Sequence, residues 1–320
     1  MSLEAGKTTG LGVRRPAESP EIIDLQFQGV SGVIGAFLIG SGQELALIES
    51  GPTSTLPVLL AALEPYGGVK RLSWVAVTHV HLDHAGGVGA LLERAPNARC
   101  YVHSTGRRHL VDPSRLLRSA SRIYGDQMDA LWGEVAPAPG DRVVGLEDGD
   151  TIRVGDAELE VLYTPGHATH HIALFHEPSR TMYTGDAAGV RLRGTEEVRP
   201  PTPPPDLDPR LWKESVAKMR SRQPERLILT HYGVFEEDLD HHFSNMLERL
   251  DHWIDVVRRG REIGQEPVTF VDSLQREGDA EVAADGGDSM MLRQYELASP
   301  YGMTVSGIIR YLEQAPQPPE

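Results

Sequence analysis

The segment Thr78-His79-Val80-His81-Leu82-Asp83-His84 sets three imidazoles and one carboxylate within six positions. Imidazole and carboxylate are the natural ligands of zinc and similar borderline divalent ions, and an irregular turn can aim alternate side chains at two adjacent points. The cluster directly follows an apolar run, Trp74 to Thr78, and a buried strand has no packing reason to end in so many titratable groups. Three further segments repeat the pattern: Thr164-Pro165-Gly166-His167-Ala168-Thr169-His170-His171, Tyr183-Thr184-Gly185-Asp186 and Leu229-Thr230-His231-Tyr232-Gly233. Each puts an imidazole or a carboxylate just past the end of an apolar stretch. Alone each is weak, but loops at one rim of a sheet structure converge on one site, so the set points to a metal centre. A bound zinc ion lowers the pKa of water from 15.7 to about 7 and polarises a carbonyl oxygen, which makes hydrolysis the chemistry to expect. No serine or cysteine stands in a recognisable nucleophile motif. The single cysteine, Cys100, excludes an internal disulfide and a multi-cysteine metal site, and its apolar context reads as a small buried hydrophobe.

Those segments need strands to carry them. From Glu21 to Ile48 apolar and polar residues alternate around glycine breaks, as successive strands do. A helix is predicted from Thr55 to Leu63, stopped by Gly67 and Gly68, then the strand Trp74 to Thr78 and a helix after Gly87 ending near Arg94. A strand from Arg99 to His103 and polar helical stretches from Thr105 to about Trp132 follow. Strands return at Thr151 to Val154, Glu158 to Tyr163, Ile172 to Phe175 and Thr181 to Thr184. Two sheet-rich halves within a mixed α/β rhythm result. Arg199 to Pro209 carries six prolines in eleven residues and must be a loop, read as an ordered surface loop rather than a ligand for a partner domain. Asp208-Pro209 starts a helix that leads to the strand Arg226 to Thr230. The run Leu239, Phe243, Met246, Leu250, Trp253, Val257 is helical and closed by Gly260, and Met303 to Leu312 is a second helix; both are expected to cover the sheets and shape the entrance to the site. Glu277 to Asp288 reads as a mobile loop and Ala315 to Glu320 as a frayed tail.

Composition bounds the function. The chain has 320 residues, 40% hydrophobic and 24% charged, and a net charge of −15, which disfavours a nucleic-acid partner. No apolar run approaches the roughly 18 residues of a membrane span, and the first twenty residues hold no apolar core of a secretory signal. A cytoplasmic protein acting on a small molecule is the expectation, with a homodimer possible.

At the level of these motifs the chain resembles the metallo-β-lactamase-fold hydrolase superfamily, especially its glyoxalase II-like and lactonase-like members, over about residues 21–235. The resemblance implies an αββα sandwich with a dinuclear centre between the sheets, preceded by an extension over 1–20 and followed by a mainly helical extension over 236–320. It implies that His79, His81 and His167 bind one ion, that Asp83, His84 and His231 bind the second, and that Asp186 bridges them. Two divalent ions per chain follow, zinc first, with iron or manganese as alternatives. Asp83 and Asp186 would be ligands and proton acceptors in attack of an activated bridging water on a thioester, ester or lactone carbonyl. His81 stands where the flavodiiron relatives usually have Glu, which favours a zinc-type hydrolase. The alternatives are a mononuclear iron sulfur dioxygenase of the same fold, a phosphodiesterase, or a metal-binding protein without turnover. Either His170 or His171 takes the family's supporting role, since relatives carry glycine before the second histidine of that motif. Tyr232, His103 and His171 are candidate substrate contacts, and His109 lies on the route to the site.

Overall fold

The computed structural model describes Ala17, residues 19–41 and residues 44–314. Most of the 1–20 extension and the whole 315–320 tail lie outside the described residues. The first sheet holds β1 (Glu21–Asp24), β2 (Gly35–Ser41), β3 (Glu44–Ile48), β4 (Leu72–Ala76), β5 (Arg99–His103) and β6 (Val143–Leu146), in that spatial order. The first three strands pair antiparallel and the rest parallel. The second sheet holds β7 (Thr151–Val154), β8 (Ala157–Tyr163), β9 (Ile172–His176), β10 (Thr181–Tyr183), β11 (Arg226–Leu229) and β12 (Gly233–Phe235), also ordered as in the chain. Only β10 and β11 are parallel there, because the long proline loop and a helix cross over between them.

Strict alternation along the strands builds the sandwich. Ala46 and Ile48 of β3 face Leu159 and Val161 of β8 and Ile172 and Leu174 of β9 in a core between the sheets. Leu45 and Leu47 point the other way, into a core shared with α1 (Leu56–Leu63) and with α3 (Val88–Arg94), which follows the short α2 (Leu82–Ala85). Because neighbouring side chains on a strand leave opposite faces, one apolar run serves two layers. The helices α4 (Ser104–Val111), α5 (Ser114–Tyr124) and α6 (Met128–Trp132) cross between β5 and β6.

The second sheet turns Ala173, Phe175, Leu227 and Leu229 outward against α7 (Pro209–Ser221), α8 (Leu239–Glu262), α9 (Pro267–Ala284) and α11 (Tyr301–Gln314), with α10 (Ser289–Ala298) between the last two. Asp208 caps α7, accepting from the amides of Arg210 and Leu211. Phe243, Met246, Leu250, Trp253 and Val257 of α8 are all buried. At about 1.5–3 kcal/mol for each large side chain, this stripe outweighs exposed ion pairs such as Arg210–Glu214, which contribute at most about 1 kcal/mol each. The C-terminal helices are thus the outer helical layer of the sandwich.

Two sequence expectations are corrected here. Glu277 to Ala284 is not a loop but the second half of α9, since Leu274, Gly278 and Val282 recur every four residues and are buried; only residues 285–288 turn. Gly260 does not end α8, which runs to Glu262. A Cβ at that position would lie 2.3 Å from Phe270 Cε1, so the glycine permits close packing of α9 instead. Among the described residues no helix is long and apolar enough to cross a membrane.

Candidate metal centre

β4 ends at Ala76, and the turn that follows carries the first motif into α2. The loops after β8, β10 and β11 carry His167, Asp186 and His231 to the same rim, so four strand ends converge. His79, His81, His167 and Asp186 form one group of donor atoms, and Asp83, His84 and His231 a second, each within 4.8 Å. In the first, His79 Nε2 lies 2.8 Å from His81 Nδ1 and 3.2 Å from His167 Nε2, while His81 Nδ1 lies 3.0 Å from His167 Nε2. In the second, His231 Nε2 lies 3.3 Å from His84 Nε2 and 3.4 Å from Asp83 Oδ2. Asp186 stands between them. Its Oδ2 is 3.3 Å from His167 Nε2, and its Oδ1 is 3.3 Å from His84 Nε2 and 3.5 Å from His231 Nε2.

The hydrogen-bond network assigns the tautomers. Thr78 Oγ1 donates to Glu49 Oε1 at 2.5 Å, so it accepts from His79 Nδ1 at 3.1 Å. His84 Nδ1 donates to Glu49 Oε1 at 3.0 Å, His167 Nδ1 to the Pro201 carbonyl at 2.8 Å, and His231 Nδ1 to the Val33 carbonyl at 2.6 Å. Each of these four rings therefore turns its Nε2 inward. The same network separates the two remaining histidines of the second motif. His171 accepts from the Asp186 amide through Nε2 at 3.2 Å, so its Nδ1 donates to Thr164 Oγ1 at 2.8 Å. It holds the Asp186 loop from behind, whereas His170 faces the cavity. Gly185, at φ +50, makes that loop possible: a Cβ there would lie 2.5 Å from Thr78 Oγ1 and 2.7 Å from His171 Nε2.

These residues fit divalent ions. Donors about 2.0–2.1 Å from a tetrahedral zinc stand about 3.3 Å apart, close to the spacings within each group. Asp186 Oδ1 is buried and accepts no hydrogen bond, an arrangement that wants a cation. Charge points the same way. Burial would raise the Asp83 carboxyl, but His84 and His231 outweigh it and hold it at about 2; Asp186 is likewise held well below its ordinary range, chiefly by His84 and His167. Burial lowers His84, yet Asp186, Asp83 and Glu49 together hold it well above the usual imidazole range. In the first group burial and the neighbouring His167 push His81 down to about 4.

A cavity of about 360 Å³ opens above the two groups. His81, Asp83, His167 and Asp186 form its floor. Its walls come from α4 and α5, from Trp132 of α6, from residues 201–206 of the proline loop and from residues 298–304. The proline segment is thus a wall of the site, with Arg199 to Thr202 buried, rather than only a surface loop. Arg199 lies between the rings of Tyr295 and Tyr301 at 4.3 Å from each, which ties the loop to the C-terminal helices.

The structure places three expected substrate contacts away from this cavity. His103 stacks on Tyr163 at 4.3 Å and caps α4, Tyr232 packs beside Gly32 and Gly35, and His171 lies behind Asp186. Strand and loop direction, invisible in the sequence, turned them aside. His109 does line the cavity. Cys100 is fully buried, and burial pushes its thiol up, out of reactive range. Glu49 escaped the sequence reading. Its signal was a charged residue closing the apolar run Leu45 to Ile48, and it sits at φ +66, a strained conformation kept where the surroundings dictate it.

Two six-stranded sheets with outer helices and a shared His/Asp cluster at one rim define a metal-binding αββα sandwich. The profile of the Metallo-beta-lactamase superfamily matches residues 32–231, and the chain belongs to that superfamily. A metallo-beta-lactamase fold-containing protein of Sulfurisphaera tokodaii is 27% identical over 199 residues, 61% of this chain and 74% of its own length. An atrochrysone carboxyl ACP thioesterase of Aspergillus fumigatus is 28% identical over 269 residues, 81% of this chain and 66% of its own. Several other fungal relatives are matched over less than half their length. A metallo-beta-lactamase family protein of Thermus thermophilus shares the fold at a TM-score of 0.64 and 17% identity, with 88% of each chain covered.

Proposed function

We propose that the protein is a hydrolase that opens a thioester, ester or lactone carbonyl with two divalent ions, zinc first, held by His79, His81 and His167 on one side and Asp83, His84 and His231 on the other. The observation that carries this reading is Asp186, whose two oxygens divide between the two buried donor groups beneath an open cavity. When bound, such ions supply an acidified water and a Lewis acid for the carbonyl oxygen. The chain's own residues do the rest. The proline wall and residues 298–304 hold the acyl substrate over the floor and exclude bulk water. The water's oxygen bonds to the carbonyl carbon, its proton passes to the ionised Asp83 carboxylate, and the carbon–sulfur or carbon–oxygen bond breaks as Asp83 returns the proton to the leaving atom. Thioesters rank first, supported by the relatives named thioesterases. Hydrolysis of a thioester, a lactone and a phosphodiester by wild type and by His81→Ala, with metal content measured on the same samples, tests it. Carbonyl turnover that disappears in the variant supports the reading; phosphodiester turnover alone sinks it.

A further inference from the structure

Residues 104–124 hold five arginines against one acidic residue, Asp112, in a chain whose net charge is −15. The five guanidinium groups have different surroundings. Arg107 donates to the carbonyls of Val143 and Gly140, and Arg118 and Arg122 are exposed on α5 away from the cavity lining. Arg108 and Arg115 are exposed too, but they line the cavity with the metal-ligand candidates. Arg108 Nε donates to His109 Nε2 at 3.2 Å, which steers the side chain and leaves its two terminal nitrogens for something else. Among the described residues no carboxylate pairs with either arginine. Beyond the ligand candidates the cavity is lined by one acidic residue, Asp206, and its Oδ2 accepts from Thr169 Oγ1.

Two cationic groups without a carboxylate partner at one cavity attract an anion to it. Guanidinium takes carboxylate or phosphate through two parallel N–H bonds, a geometry that orients as well as attracts. The His81 and His170 ring centres are 5.9 Å apart and those of His170 and His109 6.1 Å, so His109 stands at most 12 Å from a floor residue. At about 1.2 Å of reach per bond of an extended chain, that is within about ten bonds of the reacting carbonyl. Leu116, Ala120 and Trp132 line the same cavity, suited to a short apolar spacer.

We infer that Arg108 and Arg115, with His109 positioning Arg108, are a recognition site for an anionic group, carboxylate or phosphate, carried by the substrate several bonds from the cleaved carbonyl. This rests on the hydrolase reading and narrows its substrate class to acidic thioesters or esters. The test compares three thioesters: hexanoyl-N-acetylcysteamine, which is neutral; adipyl-N-acetylcysteamine, anionic on the acyl side; and hexanoyl-N-succinylcysteamine, anionic on the thiol side. In the wild type at least one anionic substrate has a kcat/KM about tenfold or more above the neutral one, and which one it is tells on which side the anion lies. In Arg108→Gln/Arg115→Gln that ratio falls about tenfold, through KM, and in Arg118→Gln/Arg122→Gln it stays at the wild-type value. A ratio near one in the wild type, or one unmoved by the first double variant, overturns the proposal. Loss of the ratio in the second variant instead would move the anion site to the exposed face of α5, outside the cavity, and overturn its assignment to Arg108 and Arg115. Calorimetry with the non-hydrolysable thioether analogues of the three compounds separates the two readings. If none of the thioesters is turned over, the hydrolase reading fails, whereas equal binding of anionic and neutral thioethers defeats the arginine site itself.

Discussion

Behind the second donor group stands a buried carboxylate, Glu49, whose Oε1 accepts from His84, Thr78 and Thr230. Behind the first stand two neutral acceptors, the Thr78 hydroxyl and the Pro201 carbonyl. The difference is one of charge and of origin. A carboxylate behind an imidazole raises its basicity as a ligand, and such partners are worth 10–100-fold in metal affinity or activity. Glu49 comes from the end of a central strand, so the second group is braced by the sheet itself. Pro201 belongs to a loop held by Arg199 between two tyrosines of the C-terminal helices, so the first group depends on a packing contact made more than ninety residues away.

The comparison breaks most completely at the residue both groups share. Asp186→Ala should strip metal from both groups and lower kcat/KM by about three orders of magnitude or more, as expected when a ligand to both ions is removed. Stepwise cobalt titration with activity on the same samples checks this, and a variant with full metal and full turnover would deny any sharing. Glu49→Gln keeps size and an acceptor but removes the charge. It should weaken one step of that titration by 10–100-fold and leave the other nearly in place; equal weakening of both would erase the asymmetry.

The smallest effect concerns His242, whose Nε2 donates to the Ala188 carbonyl at 2.7 Å and so steadies the Asp186 loop independently of either group. Burial lowers this imidazole to about 4. A depressed histidine is neutral in the folded chain while the unfolded chain takes up a proton, so its contribution is complete above about pH 6.5 and is lost as pH falls toward 4. From pH 7.5 to 5.5 that is about 1 kcal/mol. Urea unfolding of wild type and His242→Gln at both pH values should show the variant's pH dependence to be smaller by that amount, and parallel curves would mean that His242 is already charged or solvated.

The residues of the two donor groups were legible because coordination chemistry accepts few residue types, and a cluster such as His79, His81, Asp83 and His84 has little packing use. The supporting partners were less so. Thr78 and Glu49 act through one hydroxyl and one carboxylate, types common everywhere, and Pro201 and Val33 act through backbone carbonyls that any residue owns. The stretch Glu277 to Ala284 misled because its charge and glycine suggested a loop, while its every-fourth-residue contacts become apparent only beside α11 and the buried face of α8. The six prolines of residues 199–209 announced a loop but not a cavity wall.

What the sequence alone determined is the donor set, the alternation that divides each strand between two cores, and the absence of thiol chemistry, all matters of residue type and local period. Which histidine braces Asp186, which tyrosines hold Arg199 and which arginines reach the cavity were decided only by the tertiary structure. Those choices depend on the direction in which a side chain leaves its element and on what another element, distant in the chain, puts in front of it.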